Sequence, residues 1–571
     1  MKRNSWIKGL WLTVCCAATL AAQAQQAEYR FGGAALNRDL MMAWDFSALS
    51  RTQNFGSARA TAMGGAFASL GADLTAMTLN PAGLGMYRHN EVSVSPLLSV
   101  AKASTAGTQA WGSNSKTRFA LADLGVAINL FEGAGKGVTS VTLGFGLNRI
   151  ADFNTRYSYA SDQRYNGAMV PSIADVFAQQ MNQNNAFPAA NPEGGPNGRL
   201  DYRNPYLWPA VLAYKSAMTH VVEDGAGNLF WEPDAIGPRA SILRSVDAYD
   251  TGSINEFNFA VGANLNNIVY IGASLGIQSV HKSSTFVYGE DYGYFADGDN
   301  GLAYGPGGVL PAQLEYADLW QRTVLDGVGI NFKLGVIVRP VAGLRLGVAL
   351  HTPTYYSLER SYQAGLQYSL LANDPAIDQQ TTESLASPVQ FDEAGNSWDF
   401  TSPTRLMLGA SYTFGKLAIV SVDYERNWYN GMRVKNVPNG ADFGPATYKA
   451  DFKENFRAVN TLRAGVEVRP LPIFALRAGC GFSSSMLRDE SIAYEVPQLT
   501  TSNYFTLGAG INLSRSVSLD VAYQHLTDNQ TSYRLFYSEP DPVSSYHAYA
   551  SELYTTSLTR HFVTLTLGVH F

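Results

Sequence analysis

The chain ends on HFVTLTLGVHF, His561–Phe571, and the reading of this stretch decides the fold. Val563, Leu565, Leu567, Val569 and Phe571 fall on one face, and Thr564, Thr566, Gly568 and His570 on the other, which is the two-residue period of an extended strand. A strand of a soluble sandwich alternates in the same way, but nothing requires such a strand to be the last one.

The same alternation recurs upstream. GLRLGVAL turns Leu344, Leu346, Val348 and Leu350 one way and Arg345, Gly347 and Ala349 the other, and TRLMLGASY does so with Leu406, Leu408, Ala410 and Tyr412 opposite Arg405 and Met407. In KLAIVSVDYERNW, Ala418, Val420, Val422 and Tyr424 oppose Asp423 and Glu425; TLRAGVEVRP and ALRAGCGF place Arg463, Gly465, Glu467, Arg477 and Gly479 on their polar face. One face suits lipid and the other a polar lumen lattice, so the expectation is a transmembrane antiparallel β-barrel. The apolar final strand ending on Phe571 fits the signal that such barrels present to the barrel assembly machinery. Counting segments predicts about fourteen strands, near 91–103, 116–130, 138–158, 241–265, 268–289, 315–339, 342–369, 389–414, 416–436, 455–469, 473–486, 502–513, 516–528 and 559–571. Short connections alternate with long ones, as periplasmic turns and outer loops do.

Composition agrees. Of 571 residues 12% are aromatic and only 15% charged, with 53 Gly and 31 Tyr, a vocabulary of strands and turns. The mean hydropathy of −0.09 hides no long apolar run beyond the N-terminus, which excludes a helical membrane protein and leaves a barrel open. MKRNSWIKGLWLTVCCAATLAAQAQQ has the charged, apolar and small-residue order of a secretory signal, so residues 1–24 are expected to be removed after Ala24. Cleavage would take Cys15 and Cys16 and leave Cys480 alone, without a disulfide partner. It would also make the chain more acidic than its formal net charge of −6, which argues against nucleic acid as a partner.

Motifs for chemistry are weak. GASLG, Gly272–Gly276, has the spacing of a nucleophile elbow, but Ser274 sits within an alternating run where that motif needs a sharp turn. GAGKGVTS, Gly133–Ser140, lacks the Ser or Thr after Lys136 that a phosphate loop needs. The His residues show no paired spacing for zinc; His547, between Tyr546 and Tyr549, offers a haem ligand or an ordinary loop residue. No acid/base pair emerges, no cofactor is indicated, and no enzyme is expected. The inward charges Arg345, Arg405, Asp423, Glu425, Arg463, Glu467 and Arg477 read best as a lumen network that pairs internally and stiffens the wall. The longest outer loop, 159–239, contains two amphipathic patterns, one capped by Ser172 and carrying Ile173, Val176 and Phe177, the other running from Tyr206 through Trp208, Leu212 and Tyr214.

GSARATAMGGAFASLGADLTAMTLNPAGLGMYR, Gly56–Arg88, precedes every strand. It is too interrupted to span a bilayer, its Gly and Ala allow close backbone approach, and Pro81 forces Asn80 out of helical geometry. Such a segment needs burial against other surface, and the lumen of a fourteen-stranded barrel supplies it. Here the sequence resembles the FadL-type outer-membrane transporters of long-chain fatty acids and other hydrophobic compounds, in a Bacteroidetes-like form. The stretch GGAFASLGADLTAMTLNPAGL is similar to that family's hatch, with its motif at Asn80, Pro81 and Ala82. The resemblance implies a hatch over residues 25–90, a barrel over 91–571 in the Gram-negative outer membrane, and passage of a hydrophobic ligand through the lumen by diffusion. Exit would be sideways into lipid where the third strand kinks; the phase of that strand breaks at Asn148, Arg149 and Ile150. Similar barrels also serve as components of protein export or surface attachment, with a protein partner, or in haem uptake.

Overall fold

The computed structural model describes residues 41–133, 137–168, 170–183, 194–195, 198–199, 208–216, 218–223, 225–233, 236, 239–295, 312–372, 380–386, 397–438, 443–490, 496–536 and 550–571. The expected signal segment 1–24, Lys136, Tyr206 and His547 lie outside them.

Fourteen antiparallel strands close into a barrel. They are β1 (Glu91–Ala106), β2 (Ala110–Glu132), β3 (Val138–Asp152, continued by Thr155–Arg164), β4 (Arg239–Leu265), β5 (Val269–Tyr294), β6 (Ala312–Val338) and β7 (Leu344–His351, continued by Tyr355–Ala372). There follow β8 (Ser397–Thr401 and Arg405–Phe414), β9 (Ala418–Trp428 and Arg433–Asn436), β10 (Ala458–Leu471), β11 (Phe474–Ser483), β12 (Leu499–Asn512), β13 (Val517–Gln530) and β14 (Tyr554–His570). Closure is made by β1 against β14, in register from Glu91↔His570 to Ala106↔Thr555. Every expected strand is present. Several run longer than the alternation alone indicated: β3 holds the wall to Arg164, so the long loop leaves the barrel there rather than at Tyr159.

The two faces behave as the period requires. On β14 Val563, Leu565, Leu567 and Val569 point out while Phe562, Thr564 and Thr566 are buried, and on β6 Val328, Ile330, Phe332, Leu334 and Val336 form the same apolar belt. Pro353 and Pro403 mark the interruptions in β7 and β8, where a missing N–H breaks the ladder. Thr354 and Ser402 bridge the break, with Thr354 N donating to Ser402 Oγ at 2.8 Å and Ser402 N to the Thr354 carbonyl at 3.0 Å. At the other end the β4–β5 turn uses Asn266 and Asn267 at φ 56° and 58°, the left-handed pair of a tight hairpin.

Inside the lower barrel lies an N-terminal plug with three short helices, α1 (Ala43–Leu49), α2 (Ala58–Ala62) and α3 (Ala76–Leu79), then a 3-10 turn Pro81–Met86. The outer mouth is closed by the long loop, which forms α4 (Ile173–Gln183) and α5 (Trp208–Lys215). Ser172 caps α4 by accepting from Ala174 N at 3.1 Å, and Asp175 accepts from Ser172 N at 2.7 Å in return. Ile173, Val176 and Phe177 then join Met181, Leu212 and Trp231 in one apolar cluster that reaches Tyr288 and Tyr533 on the wall.

Candidate functional site: plug, cavity and seam

The plug is tied first to itself. Ser57 caps α2 by accepting from Ala60 N at 3.1 Å and donates its hydroxyl to Asp73 at 2.7 Å, while Asp73 also accepts from Thr75 N at 2.9 Å. Asn80 is fully buried and extended, at φ −143° and ψ 100°, as the following proline demands. Its side chain donates to the Ala68 carbonyl at 2.6 Å and accepts from Ala82 N at 3.2 Å, so it joins two turns of the plug. Pro81 starts the 3-10 turn, where its missing N–H costs nothing. Ala82 packs with Tyr270 and Ile337 of the wall.

Wall glycines make this contact possible. A Cβ at Gly335 would collide with Asn80 Oδ1, one at Gly347 with the Ala68 carbonyl, and one at Gly465 with the Met63 carbonyl. Inward positions on three strands are therefore shelves for plug backbone.

The inward charges divide into groups. Glu425 receives Arg405 and Arg463, each at 2.6 Å. Glu467 receives Arg477 at 2.7 Å, Arg469 at 2.8 Å and, from the plug, Arg59 at 3.1 Å; Arg477 also meets Asp520. Burial disfavours the Arg59 cation, but Glu467 and Asp73 outweigh it and its pKa is held above the ordinary arginine value. Asp423 accepts from Ala68 N at 2.7 Å, so it too holds the plug. Arg345 lies on the same polar face without an ion pair among the described residues. Other plug anchors carry no charge pattern that sequence could flag: Tyr504 donates to the Gly64 carbonyl at 2.8 Å, Thr506 to the Ala62 carbonyl at 2.7 Å, and His351 Nε2 lies 2.9 Å from the Leu79 carbonyl. Arg51 of the plug pairs with Asp528, which Arg560 also holds at 3.1 Å.

Between the start of the plug and the wall lies a cavity of about 260 Å³, with Met41, Trp44, Leu325, Met486 and Leu558 among its apolar lining and Arg51, Lys282 and Arg560 among its cations. Two smaller spaces, about 70 and 80 Å³, adjoin the plug lower down, the second reaching Arg149 and Ile150.

One wall of this space is incomplete. The ladder between β2 and β3 runs only as far as Asp123↔Asn148, and β2 next meets β3 at Trp111↔Ala160 and Ala110↔Ser161. Over the same interval β2 stays paired to β1, with one bulge at Ala122 opposite Ser95 and Pro96, and β3 stays paired to β4, with a register shift between Arg149 and Ala151. The three residues Asn148, Arg149 and Ile150 thus stand where the third strand leaves the second. Among the described residues, Ser113 to Ala122 have no backbone ladder on that side. Phe119, 74% exposed, faces outward opposite the belt residue Leu98, so this seam begins at membrane depth. Side chains bridge it instead. Arg149 Nε donates to the Leu121 carbonyl at 3.0 Å, Arg118 to Asn154 at 2.6 Å, Lys116 to the Asp250 carbonyl at 2.9 Å, and Asn114 to Ser158. Asn148 is itself held between Asp123 and Asn258.

Ser274 lies in unbroken β5 between Ala260 and Lys333, without the turn that a nucleophile elbow requires. Cys480 is on the outward face of β11.

No family model matches the chain, and no curated protein matches its sequence. Among solved structures it is similar to the Pseudomonas putida toluene transporter TodX, at 11% identity over 92% of this chain and 99% of that one, with a TM-score of 0.48. It is also similar to the monoaromatic hydrocarbon channel CymD, at 13% identity over 91% and 98% with a TM-score of 0.45, and to a Pseudomonas aeruginosa FadL homologue, at 11% over 90% and 99% with a TM-score of 0.45.

Proposed function

We propose that the protein is an outer-membrane diffusion channel for small hydrophobic molecules of the long-chain fatty acid kind, with the plug as a movable gate and the β2–β3 seam as a lateral exit into lipid. The observation that carries this reading is the seam's position beside the cavity. An unpaired strand edge is costly in hydrocarbon, because each unsatisfied backbone group there costs several kcal/mol. A barrel that keeps one at Ser113–Ala122, bridged by side chains, has a wall that opens without breaking a ladder.

The remaining pieces fit the same route. The outer cap and the cavity supply a partly apolar resting place, and the plug blocks the straight path downward. A molecule that leaves sideways never has to cross the polar ring formed around Glu425 and Glu467. Asn80, Pro81 and Ala82 fix the fold of the gate, Asn148, Arg149 and Ile150 mark the exit, and the inward charges seat the gate rather than contact cargo. The partners are then the hydrophobic ligand and the lipid that receives it. Cells lacking their own fatty-acid channel and expressing this chain should take up radiolabelled long-chain fatty acid saturably. Uptake no greater than that of cells without the chain, with the barrel present and heat-modifiable in the outer membrane, would refute the proposal.

A further inference from the structure

Gln53 belongs to the plug, yet its partners are on the seam. Its backbone N donates to the Ile150 carbonyl at 2.9 Å, and its side-chain oxygen accepts from Asp152 N at 2.8 Å. The amide nitrogen of the same side chain reaches the Asp152 carbonyl at 3.5 Å. These are backbone groups of β3 just past Asn148, where β2 has ceased to pair. Gln53 also lines the main cavity and both smaller spaces, so no ligand fills them without meeting it.

We infer that Gln53 is a positioning residue that couples plug and seam, supplying to Ile150 and Asp152 the pairing that β2 withdraws. While Gln53 is in place, the kink of β3 is held inward and its backbone polar groups are satisfied. When the plug shifts, Asp152 N and the Ile150 carbonyl lose their partners together, and a ligand that takes the space of the Gln53 side chain frees Asp152 N. Plug movement and seam opening are then two faces of one equilibrium, and whatever biases one biases the other. Arg51, two residues earlier, anchors the same strap to Asp528, so displacement starting at Gln53 has a fixed point to turn on.

The inference builds on the seam being an exit, but its test needs no cargo, so it can fail while transport stands and stand while transport fails. In a Cys480→Ser background, Ala62→Cys with Ala522→Cys ties plug to wall; the two alanines, on α2 and β13, share one buried cluster, and both positions already carry a Cβ. Hydrogen exchange is followed on peptides covering 112–122 and 148–156 of the purified, ligand-free barrel. With Gln53 present, oxidising the pair should slow exchange at Asp152 relative to the reduced form. Gln53→Ala, and Gln53→Met which keeps the length without the hydrogen bonds, should raise exchange at Asp152 roughly tenfold, as loss of one or two hydrogen bonds does. Both should also make the seam peptides indifferent to the tether, whereas Thr52→Ala, at the exposed neighbouring position, should leave the response intact. Seam peptides that respond to the tether equally with and without the Gln53 amide would overturn the coupling.

Discussion

The wall at β10–β11 and the wall at β2–β3 solve the same problem in opposite ways. At β10–β11 the ladder is continuous from Thr461↔Ser483 to Val468↔Leu476, and the inward side chains, which replace no missing ladder, also hold the plug: Glu467, paired across the strands with Arg477, takes Arg59 as well, and Gly465 makes room for Met63. At β2–β3 the backbone is withheld, and Asn114, Arg118 and Arg149 are used to bridge the strands themselves while Lys116 reaches past β3 to Asp250 of β4. The first wall is expensive to move because a ladder and buried ion pairs would break together. The second is cheaper, because each side-chain bridge exchanges singly for water or lipid headgroup and the strands keep their outer partners, β1 and β4.

If that contrast is right, the largest effect should come from the closed wall. Glu467→Ala leaves Arg59, Arg469 and Arg477 without a shared acid, and breaking a buried pair by removing one partner typically costs about 3–5 kcal/mol. Part of this site is open to water at Arg469, which lowers the expectation to about 2–3 kcal/mol. The loss should appear as a lower temperature for the heat-modified gel shift, together with protease cleavage within residues 56–75. Next comes Asn80→Ala, which strands the Ala68 carbonyl and Ala82 N at roughly 1–3 kcal/mol. Assembly should be intact, plug peptides should exchange faster, and uptake of hydrophobic substrate should change. On the open wall Arg118→Ala removes one replaceable bridge and should cost about 1 kcal/mol or less. Its signature is faster exchange confined to 112–122 and 154–158, with the gel shift unmoved; an Arg118 effect as large as that of Glu467 would erase the contrast. The smallest effect is at Cys480, where an apolar maleimide should react in membranes and a charged one should not, with no change in stability. Efficient charged labelling from the lumen would reverse the register of β11.

Much of this was legible in the sequence because period two is a strong signal wherever one face meets lipid. The residues Val563 to Phe571, or Leu344 to Leu350, declare their faces without help from neighbours. Asn80-Pro81 was legible for a local reason, since proline restricts the residue before it. The phase break at Asn148–Ile150 was visible as a change of pattern, but not that β2 withdraws there, because alternation within β2 says nothing of which strand it pairs with. Arg59, His351, Tyr504 and Thr506 were hidden for a related reason. Parity puts a polar residue in the lumen; it does not say whether the lumen there holds water, another charge or the plug. Of the charges expected to stiffen the wall, Arg405, Glu425, Arg463, Glu467 and Arg477 pair, while Arg345 and Asp423 have no ion pair among the described residues; Asp423 and Glu467 reach Ala68 and Arg59 of the plug, long-range contacts no spacing rule encodes. Gln53 had no signal at all, being one amide in an irregular strap.

The central claim is that cargo leaves through the seam, and stitching the seam tests it most directly. Asn114 and Ser158 touch across it, so Asn114→Cys with Ser158→Cys, in a Cys480→Ser background, closes the gap while leaving plug and cavity free. Uptake of labelled fatty acid should fall when the pair is oxidised and recover on reduction. Uptake that is the same with the seam locked and unlocked would contradict lateral exit.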